Sequence, residues 1–230
     1  IQIRAGSLTM EDDGTDAARV RSSTGTVDIQ TAGDANITGV ESGNGTADAV
    51  RVVSTGGRVL DGGDTRLDAI ADSAPAAKLT AAGLLGVGSD GNPLEVRVRD
   101  LNASSANGSV VVSAVGDVNI DSVVAGDAVA LTASGNITGG PVSSTGLGTQ
   151  GPDKSIQVTA SGGSVVLDSV SGQQDVTIKA LAGSITVNNT TATGGNVGLS
   201  ALNGVVAATT VAGGKVSVNS ASGSARLTEV

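Results

Sequence analysis

The chain has 230 residues, 39% of them hydrophobic, with 35 Gly, one Met and no Phe, Trp, Tyr, Cys or His. That apolar content excludes a disordered tail, the length suffices for a substantial core, and the lack of Cys excludes disulfides and thiol catalysis. A formal net charge of −9 argues against nucleic acid or an anionic membrane as partner, because both are held by basic patches.

A core built only from Val, Ile, Leu and Ala must be narrow, since aromatics are what fill large interiors. No apolar run is long enough to span a bilayer. The opening stretch IQIRAGSLTM lacks the basic start and apolar centre of a signal peptide.

In chain order, alternating segments separated by Gly recur from the start. Val20-x-Ser22, Gly25, Val27-x-Ile29 and Ala32 form a first line. Val50-x-Val52-x-Ser54 with Gly57 and Val59 forms the next, and Ala77-x-Leu79-x-Ala81 with Gly83 and Leu85-x-Val87 another. Val110-x-Val112-x-Ala114, Gly116, Val118-x-Ile120 and Val123 follow, then Val129-x-Leu131-x-Ala133, Gly135 and Ile137.

From Ile156 the pattern is regular. The lines begin Ile156-x-Val158-x-Ala160, Val176-x-Ile178-x-Ala180, Val197-x-Leu199-x-Ala201 and Val216-x-Val218-x-Ser220. Corners fall at Gly163, Gly183, Gly204 and Gly223, and second segments at Val165-x-Leu167, Ile185-x-Val187, Val206-x-Ala208 and Ala225-x-Leu227. Val170, Thr190, Val211 and Val230 close the lines.

Period-2 alternation makes each segment a strand with one buried face, and a repeat of roughly 20 residues places the chain among repeat architectures. An immunoglobulin-like sandwich leans on a buried Trp or Tyr and does not repeat at this interval. The leucine-rich pattern is absent. The expectation is therefore an all-β, right-handed parallel β-helix (β-solenoid) with about 20 residues per coil, about 9–11 coils, and a rod about 45–55 Å long. The whole of 1–230 reads as a single β-helix segment, with loop insertions over 1–154 and regular coils over 155–230. Neither terminus looks capped, so the segment is expected to be a piece of a longer solenoid.

The V-x-L-x-A-x-x-G and G-S-V/I-x-V/L lines resemble the repeat region of filamentous-haemagglutinin-like adhesins of two-partner secretion. The resemblance implies the shaft of a large bacterial surface fibre, exported with an outer-membrane secretion partner and attaching to host or bacterial surface glycans or proteins, in adhesion or biofilm formation. The family's Asn-Pro-Asn export motifs have no counterpart around Pro75, Pro93, Pro141 or Pro152. The expectation is thus a secreted or cell-surface segment, as the resemblance implies, and one that is monomeric, non-enzymatic and without membrane insertion, since it has no His, no aromatic and no long apolar run.

Possible chemistry is sparse. Carboxylates cluster in EDDGTD at 11–16 and at Asp61, Asp64, Asp68 and Asp72, all in turn-like charged segments where a solvated surface is the plainer reading. Calcium binding by Asp12, Asp13 and Asp16 is the sharper one, without EF-hand spacing to back it. A carbohydrate-active β-helix enzyme is the alternative function, and it would need accessible carboxylates about 5–9 Å apart. Sequons at Asn36, Asn44, Asn102, Asn107, Asn136, Asn188 and Asn189 fit chance in an Asn/Ser/Thr-rich chain better than glycosylation. Thr190, Thr191 and Thr193 do not continue as an ice-binding ladder.

No catalytic, cofactor-binding or metal residue is assigned, and no cofactor. The insertions are the most informative feature. They follow Ile37, Val87 and Ile137, and the expectation is that they leave the rod at one corner and carry any binding surface.

Overall fold

A computed structural model describes residues 1–11, 18–47, 49–63, 66–74 and 77–230. Every strand pairing between named strands is parallel, and the described residues contain no helix. The chain is an all-β parallel β-solenoid of about 10 turns with about 21 residues per coil. Its strands make two long sheets of 11 and 14 strands, in which each strand pairs with its equivalents one coil before and one coil after.

The later coils show how the alternation builds the cross-section. In Val176–Ala180, Val176, Ile178 and Ala180 are buried while Thr177 and Lys179 face out. A short turn leads to Ile185–Ala192, where Ile185 and Val187 are buried, Asn188 and Asn189 are both exposed, and Thr190 and Ala192 are buried again. Two successive outward residues break the period-2 phase, so the strand bends there. One strand thereby supplies two sides of the coil, and the other sheet supplies the third.

In-register stacking turns the buried positions into ladders. Val112, Leu131, Val158, Ile178, Leu199 and Val218 pair successively in one sheet. Val118, Ile137, Val165, Ile185 and Val206 do so in the other. Each enclosed side chain contributes roughly 1.5–3 kcal/mol of burial, enough for a core without aromatics.

The corners are held by polar side chains that bond from coil to coil. Asp117 Oδ1 accepts the Asn136 N–H at 2.7 Å, Asn136 Oδ1 accepts that of Ser164 at 2.8 Å, Ser164 Oγ that of Ser184 at 3.0 Å, and Ser184 Oγ that of Val205 at 3.0 Å. These four turn N–H groups are thus satisfied by the coil before them. Glycine is required beside this spine, because a Cβ on Gly163 would lie 2.6 Å from Asn136 Oδ1 and one on Gly204 2.5 Å from Ser184 Oγ.

Inward hydroxyls serve another corner. Ser54 Oγ donates to Gly33 O at 2.7 Å and accepts from Gly57 N at 2.8 Å. Ser105 and Ser144 hold the equivalent turns of later coils.

The earlier coils add charge on their outward faces. Asp28 sits between Arg4 (2.8 Å) and Arg51 (2.9 Å) of the flanking coils. The Arg4 hydrogen bond is the main influence holding its carboxyl below the usual range, with Arg51 adding to it and partial burial opposing both.

Two predictions follow from the ladders. Ile178→Asp places an unpaired charge between Val158 and Leu199 and should cost about 3–5 kcal/mol, whereas Thr177→Asp should change stability by no more than about 0.5 kcal/mol. Chemical denaturation monitored by far-ultraviolet circular dichroism compares the two, and equal midpoints would contradict the register. Thr190 lies between Val170 and Val211, fully enclosed, and its Oγ1 has no hydrogen-bond partner among the described residues. Thr190→Val should therefore raise stability by about 1 kcal/mol in the same assay.

Candidate functional site

The three insertions leave the solenoid at three different places, not at one corner. Residues 43–49 lie between the strands Val40–Ser42 and Val50–Ser54. Residues 88–93 interrupt the second sheet between Gly86–Val87 and Leu94–Val98. Residues 145–155 join Ile137–Ser144 of the first sheet to Ile156–Ala160 of the second. The NITG tetrapeptides at Asn36–Gly39 and Asn136–Gly139 lie on different sheets, Ile37 on the second and Ile137 on the first.

The interruption at 88–93 has a clear geometry. Val87 pairs with Val110 and Leu94 with Val112, so six residues are inserted where the next coil spends one. Gly88 leaves the strand at φ +64°, with no room for a side chain against the Val111 carbonyl. Ser89 and Asn92 then exchange both backbone hydrogen bonds at 3.0 Å around Asp90 and Gly91, a miniature hairpin with Gly91 at φ +80°. The chain also leaves and rejoins the sheet between Arg58–Asp61 and Ala69–Ala71 one coil earlier.

Residues 145–155 are not a loose loop. The Lys154 ammonium pairs with the buried Asp127 carboxylate and donates to Gly148 O at 2.8 Å and Gly151 O at 2.9 Å. Gln150 N donates to the other Asp127 oxygen at 3.0 Å. Removing this loop together with Lys154 would strand a buried charge, so shortening it is not the neutral change that loop length alone suggests.

Between the 88–93 hairpin and this anchored loop lies a cleft of about 190 Å³, lined by Arg58, Ser89, Asp90, Gln150 and Asp153 among others. It is the place where two of the three insertions meet.

A second constellation lies at the split in the second sheet. Asp61, Asp68 and Glu95 each direct a carboxylate oxygen to within 4.8 Å of the others. Asp61 closes the strand Arg58–Asp61 and pairs with Ile37, so it occupies an interior slot that is aliphatic one coil earlier. Asp68 precedes Ala69–Ala71, and Glu95 comes from the following coil.

The backbones lock them together. Asp68 N donates to Glu95 O at 2.8 Å, and Glu95 N donates to Asp68 Oδ2 at 2.8 Å. Gly63 N donates to Asp61 Oδ1 at 2.9 Å.

Asp68 is 0% and Asp61 5% exposed, so the expectation of a solvated acidic surface is wrong for both. Asp72 does lie near the surface, paired with Arg97 at 2.6 Å. Asp64, and the proposed calcium ligands Asp12, Asp13 and Asp16, lie outside the described residues. The three clustered carboxylates are too enclosed to flank a sugar. Of the sequon residues, Asn188 and Asn189 are exposed, whereas the Asn136 side-chain amide donates to Asp117 at 3.0 Å.

Glu95 was not singled out in the sequence, because only the fold brings it beside residues 27 and 34 positions earlier. Asp61 did carry a signal, standing in phase with Val59 where the alternation calls for an apolar residue.

Desolvation is the main cause that pushes the Asp68 carboxyl up to about 9; the Asp61 and Glu95 charges add to it, and the Glu95 N–H opposes it. No protein-family model matches this sequence, and no curated protein or solved structure matches it significantly.

Because the folded value of Asp68 lies above the ordinary 3.8, the folded chain keeps a proton that the unfolded chain releases. The stabilisation is fully present below 3.8 and is lost as pH rises toward about 9. In metal-free buffer the melting midpoint should fall across that window, and Asp68→Asn should flatten the fall. An unchanged slope in the variant would place the titration elsewhere, with Asp61 and Glu95 the groups facing it.

Proposed function

We propose that this chain is a shaft segment of a large secreted bacterial surface adhesin, a stiff spacer that presents a weak binding surface for glycans or proteins. The observation that carries the reading is the contrast along the rod. Residues from Ile156 onward form plain coils with short turns, while the 88–93 hairpin and the 145–155 loop build a shaped concavity of mixed polar and apolar lining. A rigid scaffold with such loops is where recognition is usually placed. Residues Asp90 and Gln150 at its rim offer carboxylate and amide groups suited to hydroxyl-rich ligands. Export through an outer-membrane partner and display at the cell surface belong to the same proposal and rest on the repeat's resemblance to adhesin shafts.

The carbohydrate-active alternative would need an accessible carboxylate pair, and the enclosed Asp61–Asp68–Glu95 group does not supply one.

Beads coated with the protein should adhere to host or bacterial cells, and the double variant D90A/Q150A should adhere less at an unchanged melting midpoint. Equal adhesion by the variant would leave the segment with a spacer's role alone.

A further inference from the structure

We propose that Asp61, Asp68 and Glu95 form a binding site for a calcium ion at the split in the second sheet. Three carboxylate oxygens, from the end of Arg58–Asp61, from the residue before Ala69–Ala71 and from Leu94–Val98, converge within 4.8 Å. Asp61 Oδ2 and Asp68 Oδ1 are enclosed and have no hydrogen-bond partner among the described residues, although Asp68 is 0% and Asp61 5% exposed. Buried carboxylate oxygens are nearly always matched by a donor or a cation. Here the backbone N–H groups of Gly63 and Glu95 satisfy one oxygen of each Asp and leave the second oxygen of each without a donor.

The chemistry of the donors selects the ion. An all-oxygen, all-carboxylate set suits a hard cation, not zinc or copper. Calcium is favoured over magnesium because magnesium keeps several waters and a strict octahedron, which an enclosed corner does not readily accommodate.

An approach exists from outside. A polar cleft of about 370 Å³, lined by Thr9, Met10, Glu11, Asn36, Gly62 and Gly63, reaches Asp61. Glu11 at its edge and the chain's net charge of −9 both draw cations toward it.

The site also has a structural logic. One coil beyond Glu95 the same face is a single uninterrupted strand, Val110–Ala114, with Val110, Val112 and Ala114 buried. Where the strand is split, an ion would replace the missing apolar contact and tie three strand segments of two successive coils together.

The test is isothermal titration of the full chain with calcium chloride after chelator treatment, alongside thermal melts with and without the ion. The expected result is one ion per chain and a higher melting midpoint with calcium. Asp68→Asn and Asp61→Asn should each weaken binding at least tenfold, while remaining folded by circular dichroism. Neither should melt earlier than the parent in the ion-free state, because an amide keeps the oxygen that accepts the Gly63 or Glu95 N–H and carries no charge to bury.

Asp72→Asn, which touches only the neighbouring surface pair, should bind as the parent does. Should an Asp variant fail to fold, Glu95→Gln at the half-buried member carries the same comparison. Absence of binding by the parent would overturn the proposal. So would binding that survives Asp68→Asn but is lost in D12N/D13N/D16N.

Discussion

Every interior side chain of this protein must fit a slot that is repeated directly above and below it. The parallel, in-register pairing imposes this, since strands stack at ~4.8 Å and a residue's nearest neighbours are its own equivalents. A ring system in one slot would have to be accommodated by the next two coils as well. Val, Ile, Leu and Ala stack without that conflict, and they are what fill the ladders from Val112 to Val218 and from Val118 to Val206. The same rule governs the corners, where Asp117, Asn136, Ser164 and Ser184 follow one another as acceptors of equivalent geometry. Composition, spacing and polar chemistry thus descend from one stacking constraint.

Where the constraint is strict, the sequence could be read directly. The lines beginning at Ile156, Val176, Val197 and Val216 are strands with the expected register, and the inward position of Ile178 beside the outward Thr177 follows from alternation alone. Where the chain leaves its slot, the periodicity carries no information on which side it leaves. The insertion at 88–93 cuts one strand in two and returns to the same sheet, whereas that at 145–155 passes from one sheet to the other. Both look alike as a polar, Gly-rich stretch after an apolar pair. Identical NITG tetrapeptides lie on different sheets for the same reason: four residues are too few to specify a face.

The acidic group shows the other limit. Asp61 interrupts an apolar phase and could be suspected from its position, but its partners are set by which coil stacks on which. Glu95 stands in an alternating stretch, Leu94–Val98, that looks like any outward charge. Its meeting with Asp68 is a product of the turn-to-turn hydrogen bonds between them. The burial of Asp68 was illegible for a related reason, since its charged surroundings in sequence are not its surroundings in space.

The direction of the backbone hydrogen bonds has a mechanical consequence. They link each strand to the coils on either side, so they point along the stack. A pull applied lengthwise across the stack would load the bonds of one junction together and distribute the load among them. Successive junctions would carry the same force in sequence, which makes the weakest junction the one that yields. Side-chain bonds such as those of Asp117, Asn136, Ser164 and Ser184 run between coils too and would share that load. The corner spine therefore acts as a tie running lengthwise, reinforcing the rod along its stacking direction.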